Sequence, residues 1–194
     1  MQHISIRIIN EEHASLSSVL QSIRMMIKRG PQNSPEAFFD VMRAMLFYID
    51  EIPEKQHHIK ESTLLFPPLA ARSAQCAAVI EKLEKDHETG EPAVRELQHL
   101  LAAWEMLGES RRQEFEKEAL NYIDFYMDHM NREDTLIIPE ALKLLTDEDW
   151  EKLDSAFQSN TDPLSERIQR IPVYDRLFTK IVMRAPAPIG LGRS

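Results

Sequence analysis

One eleven-residue pattern is written twice in this chain, and it restricts the fold more than any other feature. His57 to Pro67 reads HHIKESTLLFP, and His129 to Pro139 reads HMNREDTLIIP. Aligned without gaps, five positions are identical: His57/His129, Glu61/Glu133, Thr63/Thr135, Leu64/Leu136 and Pro67/Pro139. Each copy opens with His-x-x-x-Glu. On a helix, residues four apart lie one turn above each other on one face, so each copy aims an imidazole and a carboxylate at one point. Neutral imidazole with carboxylate suits divalent iron, zinc or manganese. The repeat extends upstream, where His13 follows Glu12 and His87 follows Asp86. His13 to His57 spans 44 residues and His87 to His129 spans 42. Two such units face to face pool His13, His57, His87, His129, Glu61 and Glu133. That set provides two histidines for each of two metal ions and two carboxylates free to bridge. His58 corresponds to Met130 in the second copy, so His57 is the expected ligand of the adjacent pair.

The rest of the chain favours helix. Only 5 of 194 residues are glycine, 43% are hydrophobic and 28% are charged, the profile of one globular domain able to bury a core. A formal charge of −9 argues against a nucleic-acid backbone as partner. Cys76 is the only cysteine, which excludes an internal disulfide, fits a cytoplasmic setting and reads as a buried thiol. The opening MQHISIRIIN has neither the apolar core nor the cleavage site of a signal peptide, and no stretch reaches the length of a membrane span.

Periodicity predicts an all-α, up-down-up-down four-helix bundle over residues 1–157, followed by a C-terminal helical extension over 158–194. Residues 1–9 read as an extended lead-in, with Asn10 as the cap of a first helix that runs to Arg29. A second helix starts at Ser34-Pro35, kinks or breaks ahead of Pro53 and ends at Pro67-Pro68. A third carries Val79, Ile80, Leu83 and His87, with a kink or break expected just past His87 at Gly90 and Pro92. A fourth begins near Ser110. Its stripe of Phe115, Ala119, Tyr122 and Tyr126 passes into His129 and Glu133 without leaving its face. Ionisable groups at such core positions cost several kcal/mol unless paired or metal-bound.

Thr146 caps a short helix ending near Phe157. In the extension, Tyr174, Leu177, Phe178, Ile181 and Val182 form an amphipathic helix. It either covers an open edge of the bundle or makes a homodimer or partner-binding contact. The final APAPIGLGRS reads as extended or mobile. Tyr126, one turn before His129, is the candidate to support a ligand from behind, and Tyr122 reads as core. Asp86 and Asp128 read as solvated charges, His3 and His99 as surface residues, and the nine methionines as core filling.

Together, the HHxxE…LFP and HMxxE…IIP segments with EH and DH upstream resemble the hemerythrin-like HHE cation-binding family. The resemblance covers about residues 10–145 and extends to the DPL…APAPIGLG tail. It implies a non-haem di-iron centre: two iron ions with an oxo or hydroxo bridge, zinc or manganese being alternatives. Glu61 and Glu133 would bridge the ions, and His13, His57, His87 and His129 would be terminal ligands. Oxygen-carrying members place a further histidine four residues after the one matched by His87. Here that position is Glu91, so Glu91 and His58 are the candidates for an additional ligand. The implied function is binding of O₂ or a related small molecule, NO or peroxide, for sensing, storage or protection, more in keeping with a binding protein than an enzyme. The alternatives are a peroxide- or NO-handling or iron-delivering repair protein, and an interaction module with a structural metal. Neither nucleic acid nor membrane is an expected partner.

Overall fold

The computed structural model describes residues 3–32, 34–164 and 172–192. Met1 and Gln2 of the lead-in, residues 165–171 of the extension, and Arg193 and Ser194 of the tail lie outside them. Among the described residues there is no strand beyond one isolated bridge, Pro186 to Gly192. The helices are α1 (Ile4–Arg29), α2 (Pro35–Glu51), α3 (His58–Lys60), α4 (Phe66–Arg72), α5 (Ala74–Leu107), α6 (Arg112–Arg132), α7 (Ile138–Leu144), α8 (Asp147–Phe157) and α9 (Asp175–Arg184). Short π-helical turns join α2 to α3 (Pro53–His57), α3 to α4 (Glu61–Leu65) and α6 to α7 (Glu133–Ile137). The chain therefore forms four arms: α1, α2–α4, α5 and α6–α7.

The arms pack as an all-α bundle. Helix α1 contacts α2, α2 contacts α5, α5 contacts α6, and α6 returns to α1. The interior holds two apolar clusters. One contains Leu20, Met45, Leu101, Trp104 and Phe115; the other contains Ile9, Phe66, Leu83, Ile137 and Phe157. Each arm passes from one cluster to the other at a histidine or glutamate of the repeat. In α1, Ile6 and Ile9 belong to one cluster and Leu16 onward to the other, with His13 between. In the second arm, His57 and Glu61 separate Ile52 from Leu65. In α5, His87 separates Leu83 from Val94, and in the fourth arm Glu133 separates Met130 from Ile137. Successive arms traverse the clusters in opposite order, so a single polar layer is built from all four.

Several local expectations are corrected. Helix α1 begins at Ile4, and Asn10 lies inside it. Packing of Ile6 and Ile9 with Trp150 and Leu153, and hydrogen bonds from the Ser5 amide and hydroxyl to Asp154 Oδ1 (2.8 and 2.6 Å), make the first turns worth forming. Pro67 and Pro68 do not end the second arm; they occupy the first turn of α4, where a missing N–H costs nothing. The adjustment falls just upstream. Phe66 N–H closes on Glu61 O and Ile138 N–H on Glu133 O, five residues back. Pro67 and Pro139 crowd the carbonyls of Thr63 and Thr135, and the widened turn accommodates them. The hydroxyls of Thr63 and Thr135 donate to Ile59 O and Asn131 O, each at 2.6 Å. Helix α5 does not break after His87 but runs on with Pro92 inside it. Position 90 is buried there and requires glycine, since a Cβ would collide with Tyr126 Oη and approach Glu54 Oε1 to 2.7 Å.

Helix α8 has the expected cap: the Thr146 hydroxyl accepts from the Asp149 amide, and the Asp149 carboxylate accepts from the Thr146 amide. Helix α9 lies on α2, burying Ile181 and Ala185 in the larger cluster, with Lys180 and Arg184 paired to Asp40 of α2. The following residues, expected to be extended or mobile, form a docked turn. Leu191 N–H donates to Val182 O (2.7 Å) and Gly192 N–H to Ala185 O (2.8 Å), while the Ser22 hydroxyl of α1 donates to Pro186 O (2.9 Å). Gly190 and Gly192 are required because a Cβ at either would overlap the carbonyl of Ala185 or Arg184. No helix among the described residues is long and apolar enough to cross a membrane.

Candidate metal centre

The polar layer brings the six residues of the repeat together. One set is His13, His57, Glu61 and Glu133; the other is His87, His129, Glu61 and Glu133. Within each set the ligand atoms lie within 4.8 Å of one another. The two glutamates belong to both sets, and each divides its oxygens between them. Glu61 turns Oε1 to His57 Nε2 (3.0 Å) and Oε2 to His87 Nε2 (3.6 Å). Glu133 turns Oε1 to His129 Nε2 (3.3 Å) and Oε2 to His13 Nε2 (3.3 Å). These approaches fall short of hydrogen-bond geometry: all four carboxylate oxygens and His57 Nε2 are buried without a hydrogen-bond partner.

The outer nitrogen of each histidine is held from behind, and the supports repeat with the sequence. Glu12, which precedes His13, accepts from His57 Nδ1 at 2.6 Å; Asp86, which precedes His87, lies 3.3 Å from His129 Nδ1. Asp134, which follows Glu133, lies 2.9 Å from His13 Nδ1, and Ser62, which follows Glu61, lies 3.0 Å from His87 Nδ1. Further out, Asn160 Nδ2 donates to both Glu12 oxygens (2.8 and 3.0 Å), Arg132 donates to Asp86 (3.1 Å), and the Ser62 hydroxyl donates to Glu84 (2.7 Å). Anchoring Nδ1 leaves Nε2 facing inward, the arrangement that metal-binding imidazoles favour.

His58, a candidate above for an additional ligand, is 5% exposed. Its ring stacks on His87 at 4.1 Å, and it offers a ring nitrogen within 4.8 Å of those of His87 and His129. The π-helical turn at Pro53–His57 lets two consecutive histidines both point inward. Its Nδ1 is 3.1 Å from Glu54 Oε2. Tyr126 donates to Glu54 Oε1, so it supports the centre at one remove, and Tyr122 donates to the same oxygen at 3.2 Å. Glu91, the other additional candidate, is turned away: it is half exposed and pairs with Arg95. Asp128 pairs with Arg132 on the surface and His99 is exposed. His3 stacks on Trp150 at 3.9 Å, remote from the layer.

Charge is unevenly distributed. Burial opposes charge on His13, but Asp134 and Glu133 outweigh it and raise its pKa to about 9. Burial is likewise outweighed at His129, raised to about 10 by Glu133 and Asp86. His58 and His87 face other imidazoles, and burial together with those neighbours holds them far below the usual range. Glu61 is pushed up by burial and by the charge of Glu133. Glu133, despite burial, lies well below the ordinary carboxylate range because His129 and His13 flank it. Two adjacent buried carboxylates with four unpartnered oxygens, ringed by inward-facing nitrogens, suit a pair of divalent cations.

Asp86, expected to be a solvated charge, instead lies against His129 Nδ1, and sequence periodicity does not mark Glu12, Ser62 or Asp134 as supports. Their signal was present in the pairs Glu12-His13 and Asp86-His87, but each acid serves the other histidine of its own half. No curated protein matches the chain. The family model described as the hemerythrin HHE cation binding domain matches residues 4–141, most of the chain and all six residues of the repeat. On the match and the geometry together, the chain belongs to the hemerythrin HHE cation-binding family.

Proposed function

We propose that the centre holds two iron ions and that the protein binds O₂ or a closely related small molecule, NO or peroxide, for sensing, storage or protection. The observation that carries this reading is the division of Glu61 and Glu133 between two histidine sets, with all four oxygens buried and unpartnered. One ion would be held by His13 and His57, the other by His87 and His129 with His58 in reach, and both by the glutamates. Iron would supply the capacity to exchange electrons with a small ligand. The protein's own part is to fix the imidazoles through Nδ1, keep bulk water out of the layer and leave the His13/His57 position with fewer imidazoles around it. That imbalance favours one position for an added ligand.

The test is anaerobic purification with Fe(II), measurement of iron per chain, and an optical spectrum before and after air. About two irons per chain and a visible band that develops with air are expected. A zinc-filled chain without an optical response would overturn the reading in favour of a structural metal.

A further inference from the structure

The two halves differ at one buried position beside the ligands. His58 in the first half stands where the second has Met130. His58 joins His87 and His129, whereas Met130 lies at the His13 end. Two openings meet there. A groove of about 490 Å³ on the surface between α1 and α6 is lined by Asn10, His13, Ser17, Met127, Met130 and Asp134, among others. Behind it is a void of about 10 Å³, room for one water-sized molecule. Its walls include His13 and His57 of one set and His58 and His129 of the other, with Leu16 and Met130. His13 and Met130 are the residues common to both walls.

These two residues are not equally free to move. His13 is held at Nδ1 by Asp134 (2.9 Å) and has Nε2 against Glu133 (3.3 Å). Met130 is 4% exposed and ends in an unbranched thioether, which changes rotamer at low cost and breaks no strong polar contact when it does.

We infer that Met130 is the gate between the α1–α6 groove and the centre, beside His13, and that cations and small ligands enter there. The inference rests on the metal reading above. At the mouth, Asp134 has a carboxylate 45% exposed, a first oxygen for an incoming cation one contact away from His13. Past the gate, Leu16 and Ile52 make the void partly apolar, and at its resting volume it holds one water-sized molecule. With Met130 in place the groove and the void are separate; displacing its side chain joins them.

The full-length chain tests this in two measurements: association of azide with the iron-loaded protein, and uptake of Co(II) by the metal-free protein, both by stopped flow. Met130→Ala is expected to accelerate both by about tenfold or more, and Met130→Ile, of similar volume but stiff, to slow both by roughly threefold. Leu83→Ala removes similar volume from the other apolar cluster and lines neither opening, so it is expected to leave both rates unchanged. Rates insensitive to Met130 in a chain that loads normally, or equal acceleration by Leu83→Ala, would overturn the gate alone. A chain that takes up neither metal would overturn the gate together with the reading it rests on.

Discussion

Glu12 Oε2 lies 2.6 Å from His57 Nδ1, both residues are buried, and Glu12 is itself held by Asn160. A residue well past the matched family region thus steadies His57 through Glu12. Asn160→Ala should free Glu12 to tilt and should weaken metal at the His13/His57 position by about tenfold. Competition with a chelator of known affinity checks it; unchanged affinity would show that Asn160 only packs.

Glu61→Gln should have opposite effects with and without metal. The substitution removes a buried carboxylate that burial and Glu133 already disfavour as an anion. The metal-free chain should therefore be as stable as the parent, or more stable by about 1 kcal/mol. The iron-loaded chain should lose at least one ion and the stabilisation that binding confers. Iron per chain and melting curves with and without iron decide it; parallel shifts in both curves would contradict the prediction.

Gly90→Ala should cost about 1–3 kcal/mol, because its Cβ would meet the Tyr126 hydroxyl and Glu54 Oε1 at 2.7 Å. Adding Tyr126→Phe removes one obstruction and should recover part of the loss. Denaturant midpoints of the single and double variants measure it; strictly additive costs would show that the hydroxyl is not the obstacle.

Asp162 should make stability fall as pH rises. Burial lifts its pKa from 3.8 to about 6, against the opposing Leu164 amide, and the charge of Glu12 adds to the rise. Between these values the folded chain binds the proton and the unfolded chain does not. The stabilising protonation is therefore complete below the unfolded pKa and is lost as pH passes through about 6. Asp162→Asn should flatten this dependence and gain about 2 kcal/mol at pH 7 relative to the parent. Urea midpoints at pH 5 and 7 for both proteins test it. An equal pH dependence in the two would locate the titration elsewhere.

The duplicated His-x-x-x-Glu was legible because its spacing is local: one helical turn fixes it whatever surrounds the helix. The long α5 was not, because Gly90 and Pro92 are helix-breaking by local propensity, and only the contact with Tyr126 and Glu54 across the bundle explains a small residue there. Local signals start helix α1 at Asn10 for the same reason, since Ser5 finds Asp154 from the far end of the chain. Sequence spacing ranks His58 behind His57 because consecutive residues on a regular helix diverge by about 100°, and the wide turn at Pro53–His57 has no periodic signature. The imidazole supports lie in other arms, so helical spacing along one arm could not pair them.

Each half of the chain supplies both histidines of one position and lends one glutamate oxygen to the other. The cations would therefore rivet two hairpins along their shared seam. Stripped of them, the joint keeps two buried carboxyl groups whose oxygens have no hydrogen-bond partner, and strain should part the halves there before either hairpin unravels.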